Sequence, residues 1–197
     1  MTTVISLGPR GGNGGDGPAM VQFCKGWSES GGRNRVNIDY GNDINTGVDL
    51  LEAKLREVAG PKIVFGHSQG AQVASRWLEA HPNDSIPANE LSFVLIGNPE
   101  RKYGRVPWDV NGTGPSTTTR DTTKYTVLDV TRHDDGWANW PSPTNPHNPH
   151  ANLFTWASAI SGMFFVHPRY NTTDLDTLEA DKLAKTVVGN TSYYVVP

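Results

Sequence analysis

"KIVFGHSQGAQVA", residues 62–74, decides how the rest of the chain is read. An apolar run of the kind that makes a buried strand stops at Gly66. A second glycine, Gly70, opens a helical pattern with Ala71, Ala74, Trp77 and Leu78 on one side. Between them stand His67, Ser68 and Gln69. The five residues Gly66 to Gly70 fit G-x-S-x-G, a sharp strand-to-helix corner that lifts a serine hydroxyl clear of a sheet. Backbone at such a serine is strained, and a Cβ two residues to either side would strike the strand or the helix. Glycines remove that clash. The corner also aims the first amides of the helix at the space above the hydroxyl, where an oxyanion could be held.

Outward from this corner the chain alternates short apolar runs with amphipathic ones. "TVISL" (3–7), "RVNID" (35–39), "KIVFG" (62–66), "LSFVLIG" (91–97) and "KYTVLDVT" (124–131) read as strands. Pro18 begins a helix carrying Met20, Phe23, Cys24 and Trp27. Thr46 and Asp49 have capping-box spacing ahead of Leu51, Leu55 and Val58, and the Ser68 corner feeds a helix over 69–80. Phe154 to Phe164 and residues 175–185 read as two more helices, and "SYYVV" as a closing strand or tail. Residues 98–123 and 139–151 read as loops, the second with four prolines. Such alternation predicts an α/β fold of three layers: a mainly parallel sheet of about five strands with helices on both faces.

The 197 residues suit one domain spanning 1–197. A formal charge of −3 and a pI near 6.0 give no reason to expect nucleic acid or anionic membranes as partners. Mean hydropathy is −0.48, and no apolar run reaches the ~18 residues that cross a bilayer, so stable membrane insertion is not expected. The opening "MTTVISLGPRGG" lacks the pattern of a secretory signal, from which a soluble chain is expected; a monomer is the expected state. Cys24 is the single cysteine, so no intrachain disulfide can form, and its apolar neighbours point to a buried structural thiol.

A serine hydroxyl needs a base, and the base an orienting acid, in chain order Ser, acid, His at an elbow of this kind. The candidate carboxylates in the fifth strand and just after it are Asp129, Asp134 and Asp135. Asp129 alternates within the strand and reads as structural, whereas the "HDDG" turn lies just past a strand end. The histidines downstream are His147, His150 and His167. The first two sit in the Pro/Asn-rich loop and read as solvated, and spacing alone leaves the choice open.

"VFGHSQGAQVASRWL", "LSFVLIGNPERKYG", "VTRHDDGWANWP" and "FFVHPRYN" resemble successive blocks of the PE-PPE domain, a serine hydrolase of mycobacteria and their phages. That domain is similar to cutinases and to the phage lysin B esterases. The likeness covers about residues 60–174 and implies a cutinase-like α/β-hydrolase without cofactor or metal. The family's Y-D-G-x-A-D-x-P block matches residues 134–141, which implies Asp135 as the acid; Asp134 replaces the tyrosine and Asn139 the second aspartate. Its H-x-x-Y block matches His167 to Tyr170 and implies His167 as the base. The implied activity is hydrolysis of lipid, fatty-acyl or mycolyl esters by Ser68, His167 and Asp135. The oxyanion donors would be the amide of Gln69 and one from Gly8 or Arg10, since Pro9 has no N–H. Trp137, Trp140, Trp156, Phe164 and Phe165 are candidates for an acyl groove. Absence of a disulfide sets the chain apart from secreted cutinases. With no PE or PPE region ahead of it, a phage product is expected, made in the host cytoplasm and carried in the virion or released at lysis.

Two rival readings come from other classes. Gly12-Asn13-Gly14-Gly15-Asp16-Gly17 matches G-x-G-x-x-G between a strand and a helix, with Asp39 beyond, the outline of a dinucleotide-binding oxidoreductase. Asp16 beside the pyrophosphate and the amide missing at Pro18 argue against it. A non-catalytic phage binding module on the same fold is the other. The "NPHNPH" stretch with His133 matches no zinc spacing, so no metal is expected.

Overall fold

The computed structural model describes residues 1–11, 18–109 and 121–197, with the side chains of residues 18 and 19 left aside. The Gly12–Gly17 motif therefore lies outside the described residues. In chain order the elements are β1 (Thr2–Leu7), α1 (Pro18–Gly26), β2 (Arg33–Ile38), α2 (Ile44–Glu57), β3 (Lys62–His67), α3 (Gln69–Ala80), β4 (Leu91–Ile96), β5 (Thr126–Arg132), α4 (Leu153–Phe165), α5 (Leu178–Asp181), β6 (Ala184–Val188) and β7 (Thr191–Val196). A 3₁₀ turn, Trp27–Glu29, follows α1.

One sheet runs in the order β2-β1-β3-β4-β5-β7-β6, parallel throughout except for the antiparallel β6–β7 pair. The strands alternate between two cores. Val64, Phe93, Leu95 and Val127 face Leu51, Leu55, Trp77 and Leu78 of α2 and α3. Phe65, Val94, Ile96 and Val130 face Met20, Phe23 and Trp27 and the segment from Tyr170 to Leu178. Strand order turns around at β1, which pairs with β2 on one side and β3 on the other. Ligands of open parallel sheets bind beyond the carboxyl ends of the strands at such a reversal. Ser68 stands there.

Four local readings are corrected. Asp43, not Thr46, caps α2: its carboxylate accepts the Thr46 amide at 2.7 Å. Helix α1 breaks at Phe23, and Cys24 and Lys25 take left-handed backbone with φ of 54° and 57°. Their amides leave the helix to donate to the carbonyls of Tyr170 and Asn171, at 2.9 and 3.1 Å. Residues 175–185 form only the single turn α5, after which the β-branched run Thr186-Val187-Val188 and a turn at Gly189 make β6. Its alternating half-buried and exposed positions, with Lys185 on the outside, suit a sheet edge. Finally, His147 is half-buried rather than solvated, its Nε2 lying 2.8 Å from Thr186 Oγ1.

The corner itself is built by close approach. A Cβ on Gly70 would lie 2.0 Å from the Leu7 carbonyl oxygen, and one on Gly66 would lie 2.8 Å from the Gly70 carbonyl oxygen. Backbone cannot yield that much, so only glycine lets α3 start against the end of β1. Gly70→Ala is expected to cost at least about 2 kcal/mol of stability in urea unfolding. Ser161→Ala, at an exposed helical site, should stay within about 0.5 kcal/mol of the parent.

Candidate active site

Ser68 sits at φ 55° and ψ −117°, the strained geometry anticipated for the corner. Its amide donates to the Ile96 carbonyl at 3.2 Å, and its own carbonyl accepts the Gln72 amide, so the residue is held from both sides. Ser68 Oγ lies 2.8 Å from His167 Nε2. His167 Nδ1 lies 2.9 Å from both carboxylate oxygens of Asp135. With a carboxylate at Nδ1, that nitrogen carries the proton and Nε2 is left to accept from the serine hydroxyl.

Asp135 is fully buried in the turn after β5. Its Oδ1 accepts the amides of Trp137 and Ala138 at 3.0 and 3.3 Å, and its Oδ2 the Tyr170 hydroxyl at 2.6 Å. Burial by itself would raise this carboxyl. The charge and hydrogen bond of His167 and the hydroxyl of Tyr170 outweigh burial and hold it below the usual carboxylate range. Asn139 braces the turn, its Nδ2 donating to the His133 carbonyl at 2.7 Å while its Oδ1 accepts from Asn145. A carboxylate at 139 could not make the first of these bonds, which gives the aspartate-to-asparagine departure a physical reason.

The imidazole is fixed through its backbone. The His167 amide donates to the Gly162 carbonyl at 2.9 Å, and its carbonyl accepts from His67 Nε2 at 3.0 Å. Helix α4 can sit close enough because a Cβ on Gly162 would fall 1.6 Å from the Asp134 carbonyl oxygen. His67 is buried against Phe23, Tyr170 and the ring of His167. Burial, then the neighbouring His167, pushes its pKa down to about 3, so it stays neutral beside the base.

Of the other carboxylates, Asp129 is spent on a buried ion pair, 2.9 Å from Arg101 Nε, and Asp134 is exposed beside His133. His150 is exposed in its loop. A cleft of about 430 Å³ opens over Ser68, lined by Pro9, Arg10, Phe23, Gln69, Gln72, Trp137, Met163, Phe164 and His167 among others. Trp137 and Phe164 are thus at the site. Trp140 is not: it lines a separate groove with Trp156, Lys102 and Arg105, its ring edge-on to Trp108. Phe165 points to solvent, 61% exposed.

Gln69 follows the serine at the start of α3, and Arg10 reaches the cleft from the loop after β1. Gly8 lies at the end of β1 rather than in the cleft wall, its carbonyl accepting the Tyr40 hydroxyl at 2.5 Å. Asn42 ties these parts together: its Oδ1 accepts the Gly11 amide at 2.9 Å, and its carbonyl accepts Gln69 Nε2 at 3.2 Å. Sequence reasoning missed Asn42, His67 and the hydroxyl of Tyr170. For Tyr170 the H-x-x-Y spacing was the available signal. Asp39, needed by the dinucleotide reading, is exposed and accepts the Gly41 amide. Among the described residues no group of three or more His, Cys, Asp or Glu is gathered to hold a metal ion.

Comparison with known proteins bears on the family and the fold. The model of the PE-PPE domain matches residues 18–197. This chain belongs to the PE-PPE domain family. An uncharacterized PPE family protein of Mycobacterium tuberculosis, PPE28, is 30% identical over 177 residues, covering 81% of this chain and 26% of that protein. Esterase PE16 of the same organism is 29% identical over 155 residues, covering 68% of this chain and 27% of the esterase. The PE-PPE chain described here thus spans about a quarter of the length of these relatives. Among solved structures, a cutinase-like protein from Cryptococcus sp. superposes with a TM-score of 0.51 at 19% identity, covering 82% of this chain and 88% of that one. The fold is cutinase-like α/β-hydrolase, and the family is one of hydrolases and esterases.

Tyr170→Phe removes one of the groups that hold the Asp135 carboxyl down. A carboxyl with a lowered folded pKa adds stability above its unfolded pKa and loses it as pH falls through the folded value. Raising the folded pKa therefore costs most at neutral pH. Urea unfolding at a series of pH values should show Tyr170→Phe less stable by about 1–3 kcal/mol near pH 7, with the gap narrowing as Asp135 protonates in acid but not vanishing, because the Arg132 amide also loses the hydroxyl that accepts it.

Proposed function

We propose that the protein is a serine esterase that hydrolyses lipid-type carboxylic esters through an acyl-enzyme. One observation carries this reading: the unbroken contact from Ser68 Oγ through His167 to the buried Asp135, at 2.8 and 2.9 Å, on the floor of a largely apolar cleft. In the proposed reaction Ser68 Oγ attacks the ester carbonyl carbon as His167 Nε2 takes its proton. The carbonyl π electrons move onto oxygen, which the Gln69 amide and an amide of the Gly8–Arg10 loop would hold. As the tetrahedral adduct collapses, the alkoxide leaves with the proton from His167, giving an alcohol and acyl-Ser68. Water, deprotonated by His167, attacks the acyl carbonyl, and the carboxylic acid departs as Ser68 regains its hydrogen. Asp135 stays ionised throughout and steadies the imidazolium.

No cofactor takes part in this scheme. Fatty-acyl esters are the proposed substrate class, with mycolyl esters of a mycobacterial cell wall as the natural candidate by family likeness to the lysin B group. Trp137 and Phe164 would flank the acyl chain. Among the described residues no helix is long and apolar enough to cross a membrane.

Ser68→Ala is expected to lower p-nitrophenyl ester turnover by at least ~10³-fold. A fluorophosphonate probe should label the parent at Ser68 and leave the variant unlabelled. Near-parental turnover in Ser68→Ala, or a folded parent that neither turns over esters nor takes the label, would overturn the esterase reading, the latter in favour of a binding module. A chain-length series run beside mycolyl-arabinogalactan reads the acyl preference.

A further inference from the structure

Helix α4 shows solvent an apolar face. Leu153, Phe154, Ile160, Phe164 and Phe165 are 75, 85, 51, 67 and 61% exposed, and Trp156 is 43% exposed. Isolated exposed apolar residues are ordinary, but six large ones on a 13-residue helix form a patch. No ionisable side chain occurs from Ala151 to Val166. The opposite side of the helix is made of Ala159, Gly162 and Met163, packed on the Asp134–Gly136 turn. A Cβ on Gly136 would lie 1.8 Å from the Ala159 carbonyl oxygen, so helix and turn meet backbone to backbone. Seated in this way, α4 cannot rotate its large side chains inward.

We propose that this face rests on the surface of an aggregated acyl-lipid phase, from which the ester passes into the cleft over Ser68. The inference rests on the esterase reading above and narrows its substrate to lipid presented at an interface. What selects a lipid surface as the occupant is continuity with the cleft. Phe164 belongs to the exposed face and also lines the cleft, whose wall continues through its buried neighbour Met163. Whatever covers the face therefore lies at the mouth through which the acyl chain must enter. A second copy of the chain seated there would cover that mouth. A neutral lipid surface also needs no charge on the helix, and none is present. The helix spans ~20 Å, and tryptophan at its edge suits the boundary between apolar and wet regions.

The test separates adhesion from turnover. In the Ser68→Ala background, binding to neutral phosphatidylcholine vesicles is followed by co-sedimentation and by tryptophan emission. The comparison is with the combined Leu153→Gln, Phe154→Gln and Ile160→Gln chain, whose three sites lie outside the cleft. The expected result is at least a ~10-fold loss of vesicle binding in the triple variant. With Ser68 intact, the triple variant should lose emulsified tributyrin hydrolysis to a similar degree while dissolved p-nitrophenyl acetate turnover stays within about two-fold. Equal binding by both chains overturns the inference. So does failure of the Ser68→Ala chain to bind vesicles, including the case where sedimentation shows a dimer that the triple variant disperses. If circular dichroism shows the triple variant misfolded, Leu153→Gln alone, in the first turn, carries the same comparison with a smaller loss. A parent chain that binds vesicles but leaves p-nitrophenyl acetate intact would sink the esterase reading and leave the docking face standing.

Discussion

The constraint on which the rest depends is the approach of α3 to the end of β1. Gly70 stands where any side chain would strike the Leu7 carbonyl, and that closeness fixes where the strained corner carries Ser68. Strain at one residue persists only if its surroundings over-determine it. Here they do: Ser68 bonds to Ile96 on the neighbouring strand and to Gln72 in its own helix. The hydroxyl is thereby a rigid reference point, and the imidazole and carboxylate are brought to it by longer, less regular stretches of chain.

Those stretches are made rigid by backbone anchors rather than by regular structure. His167 is held at its amide by Gly162 and at its carbonyl by His67, and three residues on Tyr170 reaches the far oxygen of Asp135. The break in α1 gives up helical bonds at Cys24 and Lys25 to pair with Tyr170 and Asn171. Left-handed backbone at two non-glycine residues is unfavourable, and both hydrogen bonds help to offset it. The kink thus acts on the site twice, by setting Phe23 in the cleft wall and by holding the strip of chain that carries the histidine.

Much of this could be read in the residues before any coordinates. Strands β1, β3, β4 and β5 and helix α3 follow from apolar runs and spacing because those strands are largely buried on both faces and the helix carries an apolar stripe, while β2, half-buried at the sheet edge, follows from the alternation of Val36 and Ile38. The corner at Ser68 was legible because only glycine tolerates its crowding. Ser68, Asp135 and His167 were reached together only through family likeness, since spacing cannot tell His167 from His147 or Asp135 from Asp134. What escaped was decided by tertiary contact. Nothing local distinguishes Asp43 from Thr46 as a cap, nor marks Phe23 as the place where α1 breaks to meet a strip most of the chain away. Trp140 shares the turn of Trp137, yet the backbone sends the two rings to different grooves. Residues 175–185 read as helix because Leu, Ala and Lys favour one, but helix stops after one turn and an open sheet edge beside β7 recruits the chain from Ala184, with the β-branched run that follows, as strand.

The kinked segment also sets an order of events during synthesis. Ser68 and His167 are separated by 99 positions, and the strip that clamps the histidine closes onto residues 24 and 25 near the start of the chain. Contacts of such long sequence separation form late, after the loops between them have been closed against chain entropy. A growing chain on the ribosome would therefore display its elbow long before it owned a base, and its amino-terminal layer would wait half-covered for the segment around Tyr170. Chemical competence in this architecture cannot precede the emergence of residue 167.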